Sequence, residues 1–493
     1  MNTVCVYSVE DFVTGDKPLV EAGLPFGIAM IATVVKNLGH NVRTLVITPV
    51  SNVDARVRQV IEEFCPRLFC LTAVSTRFPA IREVARRVKA IDSSITVILG
   101  GPHASLNPEE AIGEEAIDAI CVGEGEGPIA EFIAQLEHGA HPSGVPSFWI
   151  KLPGGGGIEK NPTRAFLSDL DSLPFVDRDL WRPWMFGPPQ RPTVLVGRGC
   201  PFRCSYCSNH ILSQLAGGTY VRFRSPANVI GEIQVLVDLN PDTRGVYLEV
   251  ETIGANPKYA AELCHALARF NASRQTPVPF GINLALTQRY GRDEAFSKEL
   301  LSHFKKANIR NINIGLESGS ERIRREVLRR PVYSNADILQ FTRWARQEGL
   351  KLFLFVMIGL PTETPRDLAE TMRMTRACDP TGVLLSIFFP YPGTDLHRQA
   401  RELGLLPATG ASLGQERARP YLRGGTLSAL RIEWAFVTFH FRVFRGRWPL
   451  SMIAGQSVRQ LIVLFPAASA WFRQSHAIQR LRALIGAPAP FPS

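Results

Sequence analysis

A chain of 493 residues is too long for one hydrophobic core, and about three domains are expected. The composition, 45% hydrophobic with nine cysteines, suits several buried cores and does not suit the disulfide framework of a small secreted protein. The sequence opens directly on a strand pattern and has no apolar run of membrane-span length, so a reducing cytoplasmic location is expected. The net charge of +10 is placed unevenly, with a basic excess toward the C-terminus.

Residues 1–138 alternate between strand and helix patterns. The strand patterns are Val4–Val9, His40–Ile47, Leu68–Val74, Ile95–Leu99 and Ile117–Val122. Continuous apolar strands that alternate with helices predict an α/β domain with a Rossmann-like, doubly wound parallel sheet, which binds ligands beyond the carboxyl ends of its strands. Because no G-x-G-x-x-G follows the first strand, a dinucleotide is not predicted as that ligand.

Glycines follow the last two of these strands. Gly100 and Gly101 come after the fourth strand, and Gly123 with Glu124 comes after the fifth. A ligand at these strand ends is the functional interpretation, and a tight turn is the structural one. The residues by themselves leave both open.

Residues 139–190 are rich in glycine and proline, which predicts a linker without a core of its own. From residue 191 to residue 400 the alternation resumes, with six strand patterns that end in polar residues. They begin at Thr193 and continue with Gly245–Val250, Pro279–Leu286, Asn311–Leu316, Lys351–Gly359 and Val383–Phe389. Six successive βα units predict a (β/α)6 partial TIM barrel with its site at the carboxyl ends of the strands.

Three cysteines, Cys200, Cys204 and Cys207, lie on the loop after the first strand of this barrel. Thiolates crowded on one loop repel each other unless a metal neutralises them, so a metal site is predicted. A cluster of four irons held by three cysteines leaves one iron open to a small molecule, whereas electron-transfer clusters usually take four cysteines. A zinc site with His210 as the fourth ligand is the alternative, and ligand spacing by itself leaves it open.

The spacing C-x3-C-x2-C, with aromatic Tyr206 before the last cysteine, resembles the CxxxCxΦC signature of radical S-adenosylmethionine (SAM) enzymes. The resemblance implies a [4Fe-4S] cluster on Cys200, Cys204 and Cys207. It further implies that SAM chelates the open iron through its amino and carboxylate groups, and that Tyr206 shields the cluster.

Other segments at the strand ends resemble the SAM-binding segments of the same family. Glu251 follows the second barrel strand, where a carboxylate can accept hydrogen bonds from the positively charged SAM amino group. Glu317 and Ser318, within G-L-E-S-G, resemble the segment that faces the SAM ribose and carboxylate. Gly359 and Glu363, within G-L-P-x-E-T, resemble the loop that packs against adenine. Each residue alone is as typical of a helix start, but their joint order favours the functional interpretation.

The glycine motifs of residues 1–138 resemble those of the cobalamin-binding domain that is fused to many radical SAM enzymes. The resemblance implies cobalamin as a third cofactor, with contacts from Gly100, Gly101, Gly123 and Glu124. Because the sequence has no D-x-H-x-x-G, no histidine is offered to cobalt. His40 and His103 are therefore expected to be loop or hydrogen-bonding residues.

Residues 401–493 carry no motif of this family, and the stretch 430–487 is predicted to be helical, basic and rich in aromatic residues. Basic amphipathic helices can cover the mouth of a barrel with their apolar face, or they can lie on an anionic membrane. Nucleic-acid binding is not expected, because no motif supports it.

Together these resemblances imply a cobalamin-dependent radical SAM enzyme, most directly a methyltransferase that acts on an unactivated carbon. In this family a 5′-deoxyadenosyl radical abstracts hydrogen from the substrate, and methylcobalamin then supplies the methyl group. The expected partners are a small-molecule or lipid substrate and an external electron donor, with peripheral membrane contact of the C-terminal helices as a further hypothesis. A cobalamin-dependent cyclase or rearrangement enzyme without net methylation is the alternative within the class. A non-catalytic cobalamin or iron–sulfur sensor is the alternative outside it, and no catalytic side chain is identified.

Overall fold

The structure is a computed structural model, and it describes residues 1–9, 17–19, 23–187, 190–407 and 416–464. The described residues form two compact units. The first contains those within Met1–Pro188 and Ser208–Arg222, and the second contains those within Pro189–Cys207 and from Phe223 onward. The chain therefore leaves the first unit before the cysteine loop and returns to it directly after that loop.

The first unit is built on a seven-stranded sheet with helices around it. Its strands are β1 (Asn2–Ser8), β2 (Asn41–Ile47), β3 (Leu68–Thr72), β4 (Thr96–Gly100), β5 (Ala119–Cys121), β6 (Phe148–Lys151) and β7 (Ile158–Lys160). Its helices are α1 (Phe26–Asn37), α2 (Val53–Phe64), α3 (Phe78–Ile91), α4 (Gly101–Leu106), α5 (Pro108–Gly113), α6 (Glu126–Glu137) and α7 (Asn209–Leu212).

The strands of this sheet stand in the order β2-β1-β3-β4-β5-β6-β7. The first five are parallel, and an order of 2-1-3-4-5 is that of a doubly wound fold whose ligand lies at the switch between β1 and β3. Both faces of these strands are apolar, since α1 and α6 cover one face and α2 to α5 cover the other. The predicted Rossmann-like fold is confirmed.

Two strands lie in a segment for which the sequence predicts no strand. β6 pairs antiparallel with β5, and β7 pairs antiparallel with β6, so this hairpin extends one edge of the sheet. Phe148 and Ile150 of β6 are buried and join the apolar core beside α1 and α6. The strands are short and glycines connect them, so the pattern in the sequence is that of a loop.

The strands after β7 are β8 (Thr193–Leu195), β9 (Gly197–Arg198), β10 (Arg222–Phe223), β11 (Val246–Glu249), β12 (Phe280–Leu284), β13 (Ile309–Glu317), β14 (Lys351–Ile358) and β15 (Gly382–Ile387). The helices after α7 are α8 (Pro226–Leu239), α9 (Pro257–Ala272), α10 (Gln288–Arg292), α11 (Glu294–Lys306), α12 (Asn335–Gln347), α13 (Pro365–Cys378), α14 (Asp395–Glu402), α15 (Ala429–Phe444) and α16 (Leu450–Leu464).

The main sheet of the second unit contains β8 and β11 to β15, all parallel and in chain order. One face of the sheet packs on the helices through an apolar core that includes Leu248, Ile282, Ile314 and Leu354. Successive parallel strands with helices on one face form a partial barrel, so the predicted (β/α)6 architecture is confirmed. None of the described helices combines the length and the apolar character that a membrane span needs.

The sequence pattern from Glu321 to Leu328 predicts a helix, and the structure forms one there, but Ile323–Val327 is a π-helix and not an α-helix. Its wide turn is closed by the backbone N–H of Leu328, which donates to the carbonyl of Ile323 (2.9 Å). Single π-turns are rare and occur frequently at functional sites.

The C-terminal region contains α15 and α16, which pack on each other, and α15 also packs on α13 and β15. Phe439 and Phe444 of α15 are buried in the core of the second unit. The predicted helical character of this region is confirmed up to residue 464, and the stretch 465–487 lies outside the described residues.

Candidate functional site

The cysteine loop follows β8 and β9 at the carboxyl edge of the six-stranded sheet. Gly199 opens the loop with φ +87°, a left-handed conformation that glycine adopts without strain. Cys204 is buried, whereas Cys200 and Cys207 are partly exposed. The backbone N–H of Cys207 donates to the carbonyl of Cys204 (3.1 Å), so the last two thiols share one turn.

Ser205 ties the middle of the loop to neighbouring segments. Its backbone N–H donates to the carbonyl of Leu328 (3.0 Å), and its hydroxyl donates to the carbonyl of Val327 (2.5 Å). Its own carbonyl accepts from the backbone N–H of Leu396 (2.8 Å). These bonds hold the loop against the π-helix and the start of α14, a role for Ser205 that no sequence pattern indicates.

Charged groups surround the thiols. Burial raises the pKa of Cys200 to about 12, and the Glu251 carboxylate and the other two thiols add to the increase. Burial also raises the pKa of Cys204, whereas the Arg330 guanidinium, whose Nη1 lies 3.8 Å from Cys204 Sγ, opposes that increase. No group of three or more His, Cys, Asp or Glu side chains in the described part of the chain converges on a single metal ion. Three thiols on one ordered loop beside a guanidinium fit an iron–sulfur cluster, whose iron would compensate for their charge.

Tyr206, Glu317 and Arg330 form a hydrogen-bonded group beside Cys204. Arg330 Nη1 donates to the Tyr206 hydroxyl (3.3 Å), and this hydroxyl also hydrogen-bonds the Glu317 carboxyl. Arg330 Nη1 lies 3.9 Å from Glu317 Oε1, and Nη2 donates to the Gly315 carbonyl (2.7 Å). Burial raises the pKa of Glu317, and the Arg330 charge opposes this increase. Two predicted cofactor residues, Tyr206 and Glu317, are thus brought together with a cysteine of the loop.

Two carboxylates end the second strand of the sheet. Glu251 is exposed, and its charge contributes to the raised pKa values of both Cys200 and Glu249, so it lies near the first thiol. Glu249, the last residue of β11, is absent from the predicted site residues. Burial and then the Glu251 charge raise the pKa of Glu249 to about 7, so it can hold or release a proton near neutral pH. In the sequence, only the position of Glu249 next to buried Leu248 in a strand indicates that the Glu249 side chain faces away from the helices.

A polar layer of three side chains lies on the same face of the sheet as Glu249. Asn313 Nδ2 donates to the Tyr247 hydroxyl (2.7 Å) and to Asn283 Oδ1 (3.2 Å). The Tyr247 hydroxyl in turn donates to Asn283 Oδ1. Gly281 lies opposite Tyr247 in the register, and a Cβ there would come within 3.0 Å of the Tyr247 ring. Glycine at 281 therefore lets the Tyr247 ring lie over β12, so that its hydroxyl reaches Asn313 of β13 as well as Asn283.

Ser318 and Gly319 pack against α13. Ser318 is fully buried, its hydroxyl lies 3.1 Å from Thr371 Oγ1, and it accepts from the backbone N–H of Ser320 (3.2 Å). A Cβ at Gly319 would lie 2.6 Å from Thr371 Cα. These two residues support the backbone that carries Glu317, and the Ser318 hydroxyl is engaged within the protein.

Glu363 stabilises the loop after β14 through hydrogen bonds within that loop. Its Oε2 accepts from the backbone N–H groups of Gly359 (2.6 Å) and Leu360 (3.2 Å), and the side chain is fully buried. Gly359 has φ +77°, and a Cβ there would meet Ile432 of α15 at 3.2 Å. The loop predicted to pack against adenine is therefore shaped by Glu363 and lies in contact with α15.

A pH-dependent stability follows from this burial. Burial raises the pKa of Glu363 from 4.5 to about 8, and the backbone hydrogen bonds from Gly359 and Leu360 oppose only part of the increase. Between these values the folded protein holds a proton that the unfolded chain releases, so stability falls as the pH rises, by up to about 1.4 kcal/mol per pH unit. Glu363→Gln keeps the acceptor oxygen but cannot ionise, and we expect it to lack this part of the slope. Denaturant unfolding of both proteins at about pH 5.5 and about pH 7.5 measures the difference, and parallel profiles would contradict it.

Glycines occupy the carboxyl edge of the sheet in the first unit. Gly101 has φ +85°, and a Cβ there would lie 2.4 Å from Thr72 Oγ1. Gly123 has φ +91°, and a Cβ there would lie 3.0 Å from Thr163. Gly100 has an extended backbone, and a Cβ there would meet its nearest neighbour only at 3.9 Å. The fold thus requires glycine at 101 and 123, whereas at Gly100 a Cβ would make only an ordinary van der Waals contact, so packing within the protein does not require glycine there.

Glu124 forms an ion pair within the first unit. Its Oε1 and Oε2 accept from Arg222 Nη2 (2.8 Å) and Nη1 (2.9 Å), and Oε2 also accepts from the backbone N–H of Leu167 (2.9 Å). The Arg222 guanidinium lies 5.2 Å from the centre of the Phe166 ring. The Glu124 carboxylate is therefore bonded to the segment that follows the cysteine loop, and no sequence pattern indicates this pair.

The histidines have structural surroundings. His103 stacks on Phe78 with ring centres 4.0 Å apart, its Nδ1 lies 3.2 Å from Ser75 Oγ, and burial lowers its pKa to about 4. His40 precedes β2, at the opposite edge of the sheet from the glycines, and lies 3.3 Å from Glu137. His210, the fourth ligand in the zinc alternative, is buried in α7, which packs on α4.

Two models of protein families match parts of this chain. Residues 20–133 match the B12 binding domain, and residues 194–375 match the radical SAM superfamily. The first range contains the glycine edge, and the second contains the cysteine loop and all the predicted SAM residues.

Similar proteins include methyltransferases and a cyclase. An uncharacterized methyltransferase of Pyrococcus horikoshii is 26% identical over 387 residues, which cover 78% of this chain and 80% of that protein. The anaerobic magnesium-protoporphyrin IX monomethyl ester cyclase of Rubrivivax gelatinosus is 27% identical over 358 residues, which cover 70% of this chain and 60% of that protein. In fold, the chain is similar to the radical S-adenosylmethionine methyltransferase TsrM of Kitasatospora setae, solved with cobalamin and a [4Fe-4S] cluster bound. That likeness has a TM-score of 0.63 at 18% identity and covers 83% of this chain and 79% of that one.

The two matches agree with the two kinds of site described above, a thiol loop at the end of a partial barrel and a glycine edge on a doubly wound sheet. The zinc alternative has no support from them. The chain carries a B12-binding domain and a radical SAM domain, and it is therefore a cobalamin-dependent radical SAM enzyme whose cofactors are a [4Fe-4S] cluster, SAM and cobalamin.

Proposed function

We propose that this enzyme transfers a methyl group to an unactivated carbon of a small-molecule substrate. The observation that carries the proposal is the presence of a B12 binding domain and a radical SAM domain in one chain. A relative of which this chain spans 80% is named a methyltransferase, which supports the same reaction class. When bound, the cluster and SAM supply the radical that removes hydrogen, and cobalamin supplies the methyl group.

The residues around the cysteine loop would bind and orient the cofactors. Cys200, Cys204 and Cys207 would hold the cluster, with the loop fixed by its hydrogen bonds to the π-helix. Glu251 lies close to Cys200, where it would accept hydrogen bonds from the SAM amino group. Glu317 lies at the end of β13, two strands away from β11 in the sheet, and it would also hold SAM. Such fixed positions convert an encounter of several reactants into one oriented complex.

The polar face of the sheet would orient the substrate. Tyr247, Asn283 and Asn313 provide hydrogen-bonding groups on the face opposite to the helices, and Glu249 adds a carboxyl whose pKa of about 7 allows it to donate or accept. We propose that the start of α15 covers the substrate at the strand ends and excludes water, because Ile432 of α15 contacts the loop after β14. The rest of α15 packs through Phe439 and Phe444 into the core on the helical side of the sheet.

Contact with a membrane is the other role that we propose for α15 and α16. Leu430, Trp434 and Phe441 of α15 are exposed, and arginines accompany them. Binding to anionic vesicles that weakens as salt is added would favour this role, because salt screens attraction between exposed charges. Absence of binding at any salt concentration would favour the covering role alone.

The proposal predicts a product stoichiometry. The enzyme is reconstituted anaerobically with cobalamin, methyl-deuterated SAM and dithionite, and candidate substrates are analysed by mass spectrometry. Each methylated product should carry the label and should accompany one 5′-deoxyadenosine and one S-adenosylhomocysteine. One SAM starts the reaction and another donates the methyl group. Unlabelled SAM with a substrate deuterated at the target carbon should give deuterated 5′-deoxyadenosine.

The enzyme prepared without cobalamin is the control, and it should form 5′-deoxyadenosine without methylated product. Methylated product formed with S-adenosylhomocysteine but without 5′-deoxyadenosine would indicate polar methyl transfer and contradict hydrogen abstraction.

Cyclisation or rearrangement without net methylation is the second candidate function. The match to the magnesium-protoporphyrin ester cyclase favours it, although this chain spans only 60% of that protein. The same experiment separates the two, because a cyclised or rearranged product forms with 5′-deoxyadenosine and gains no methyl group. The sensor alternative has no support, since the chain belongs to an enzyme superfamily.

A further inference from the structure

Arg330 lies in the site but matches no predicted motif. Its side chain is 7% exposed, and its Nη1 donates to Cys204 Sγ at 3.8 Å. We propose that Arg330 is a positioning residue that acts through Cys204 to stabilise the reduced iron–sulfur cluster, so that the cluster accepts an electron more readily. The inference rests on the proposed role of Cys204 as a cluster ligand.

The fold holds the Arg330 guanidinium in place. The π-helix Ile323–Val327 is followed by Arg329, whose φ of +48° turns the chain, and the backbone N–H of Arg330 then donates to the carbonyl of Arg324 (2.9 Å). Arg330 Nη2 donates to the carbonyl of Gly315 (2.7 Å), and a Cβ at Gly315 would lie 2.8 Å from that nitrogen. Glycine at 315 therefore gives the guanidinium room between β13 and the cysteine loop.

The charge of Arg330 is only partly balanced by the protein. Glu317 Oε1 lies 3.9 Å from Nη1, beyond hydrogen-bond distance, and Arg330 Nε has no hydrogen-bond partner among the described residues. The Tyr206 hydroxyl accepts from Nη1, but a hydroxyl carries no negative charge to balance the guanidinium. A buried cation is costly unless negative groups compensate for it, and a thiolate at Cys204 would be such a group.

The same geometry bears on electron uptake. When the cluster accepts one electron from an external one-electron donor, the cluster and its thiolates become more negative by one charge, and no bond breaks. Hydrogen bonds to the cluster sulfurs and nearby positive charge set the reduction potential of such clusters, and both stabilise the more negative state. Arg330 should therefore raise the potential, while the carboxylate of Glu317 should lower it.

The test measures the midpoint potential of the cluster in the full-length, anaerobically reconstituted enzyme without SAM, by a redox titration followed by EPR. Iron and sulfide contents are determined in parallel. Arg330→Gln should keep the cluster and lower the potential by about 60 mV, which corresponds to a tenfold change in a one-electron equilibrium. Glu317→Gln should raise the potential, and Arg330→Lys, which keeps the charge, should shift it less than Arg330→Gln. Arg325→Gln removes an exposed arginine from the same segment and should leave the potential unchanged.

Full iron content in Arg330→Gln with an unchanged or higher potential would overturn the inference. If Arg330→Gln loses iron, the midpoint potential of Glu317→Gln decides whether the inference holds. A rise supports the electrostatic coupling, and a fall or no change overturns it, because a merely structural role predicts no such rise. A wild-type enzyme that takes up no iron would instead contradict the proposed function, so the two failures are distinguishable.

Discussion

Alanine in place of Cys200, Cys204 or Cys207 is expected to abolish the iron–sulfur chromophore and the formation of 5′-deoxyadenosine. The loop offers three thiols for a cluster that leaves one iron open, so no spare ligand can replace a lost one. Ser205 binds the loop to the π-helix and α14, and these bonds do not involve the substituted side chains, so the variants should remain folded. Absorption spectra, iron and sulfide contents after anaerobic reconstitution, and mass spectrometry of the nucleoside product measure the loss.

Cys65→Ala is the matched control, because Cys65 is an exposed thiol in the first unit. It should leave the chromophore and 5′-deoxyadenosine formation unchanged. Zinc as the only metal taken up by the wild-type protein, without iron or sulfide, would contradict the assignment of the three cysteines.

Gly319→Ala is expected to destabilise the second unit by about 1 to 3 kcal/mol, the usual cost of forcing an extra carbon into a packed site. A Cβ at 319 would lie 2.6 Å from Thr371 Cα and 2.7 Å from the carbonyl oxygen of Glu370. Both atoms belong to the backbone of α13, which cannot move aside as the end of a flexible side chain can. Because residue 319 follows Glu317 closely, the displacement should also weaken SAM binding, by about tenfold.

Denaturant unfolding and equilibrium binding of SAM to the reconstituted enzyme check this expectation. Gly425→Ala is the control in the same unit, since a Cβ there would meet its nearest neighbour only at 4.0 Å. Equal stability of the Gly319→Ala variant and the wild type would contradict this expectation. It would mean that α13 moves to accommodate the extra carbon, and that glycine at 319 is needed for ligand binding instead.

Much of the fold and the identity of the cofactors could be predicted from the sequence, because the signals are local. The alternation of apolar strands and helices indicates a parallel sheet wherever it occurs. Three cysteines within eight residues predict a cluster loop through their resemblance to a known signature, without any long-range information. The π-helix at Ile323–Val327 was not predicted, because an amphipathic pattern in the sequence does not distinguish a π-helix from an α-helix. The β6–β7 hairpin was not predicted, because its short strands, joined by glycines, resemble a loop in the sequence. The predicted domain boundaries at residues 138, 190 and 400, and the individual cofactor contacts, stay predictions.

The tertiary structure alone decided which side chains meet. Arg330 lies 126 positions from Cys204 in the sequence, and Arg222 lies 98 positions from Glu124, yet each pair is in direct contact. Periodicity reports which face of an element is buried, but hydrogen bonds between distant segments depend on how the elements pack. For the same reason Glu363 could be recognised by its motif, whereas its bonds to its own loop could not. Local patterns in the sequence thus predicted the two folds, and resemblance to known motifs predicted the cofactors, whereas the charge environment of the thiols depends on packing.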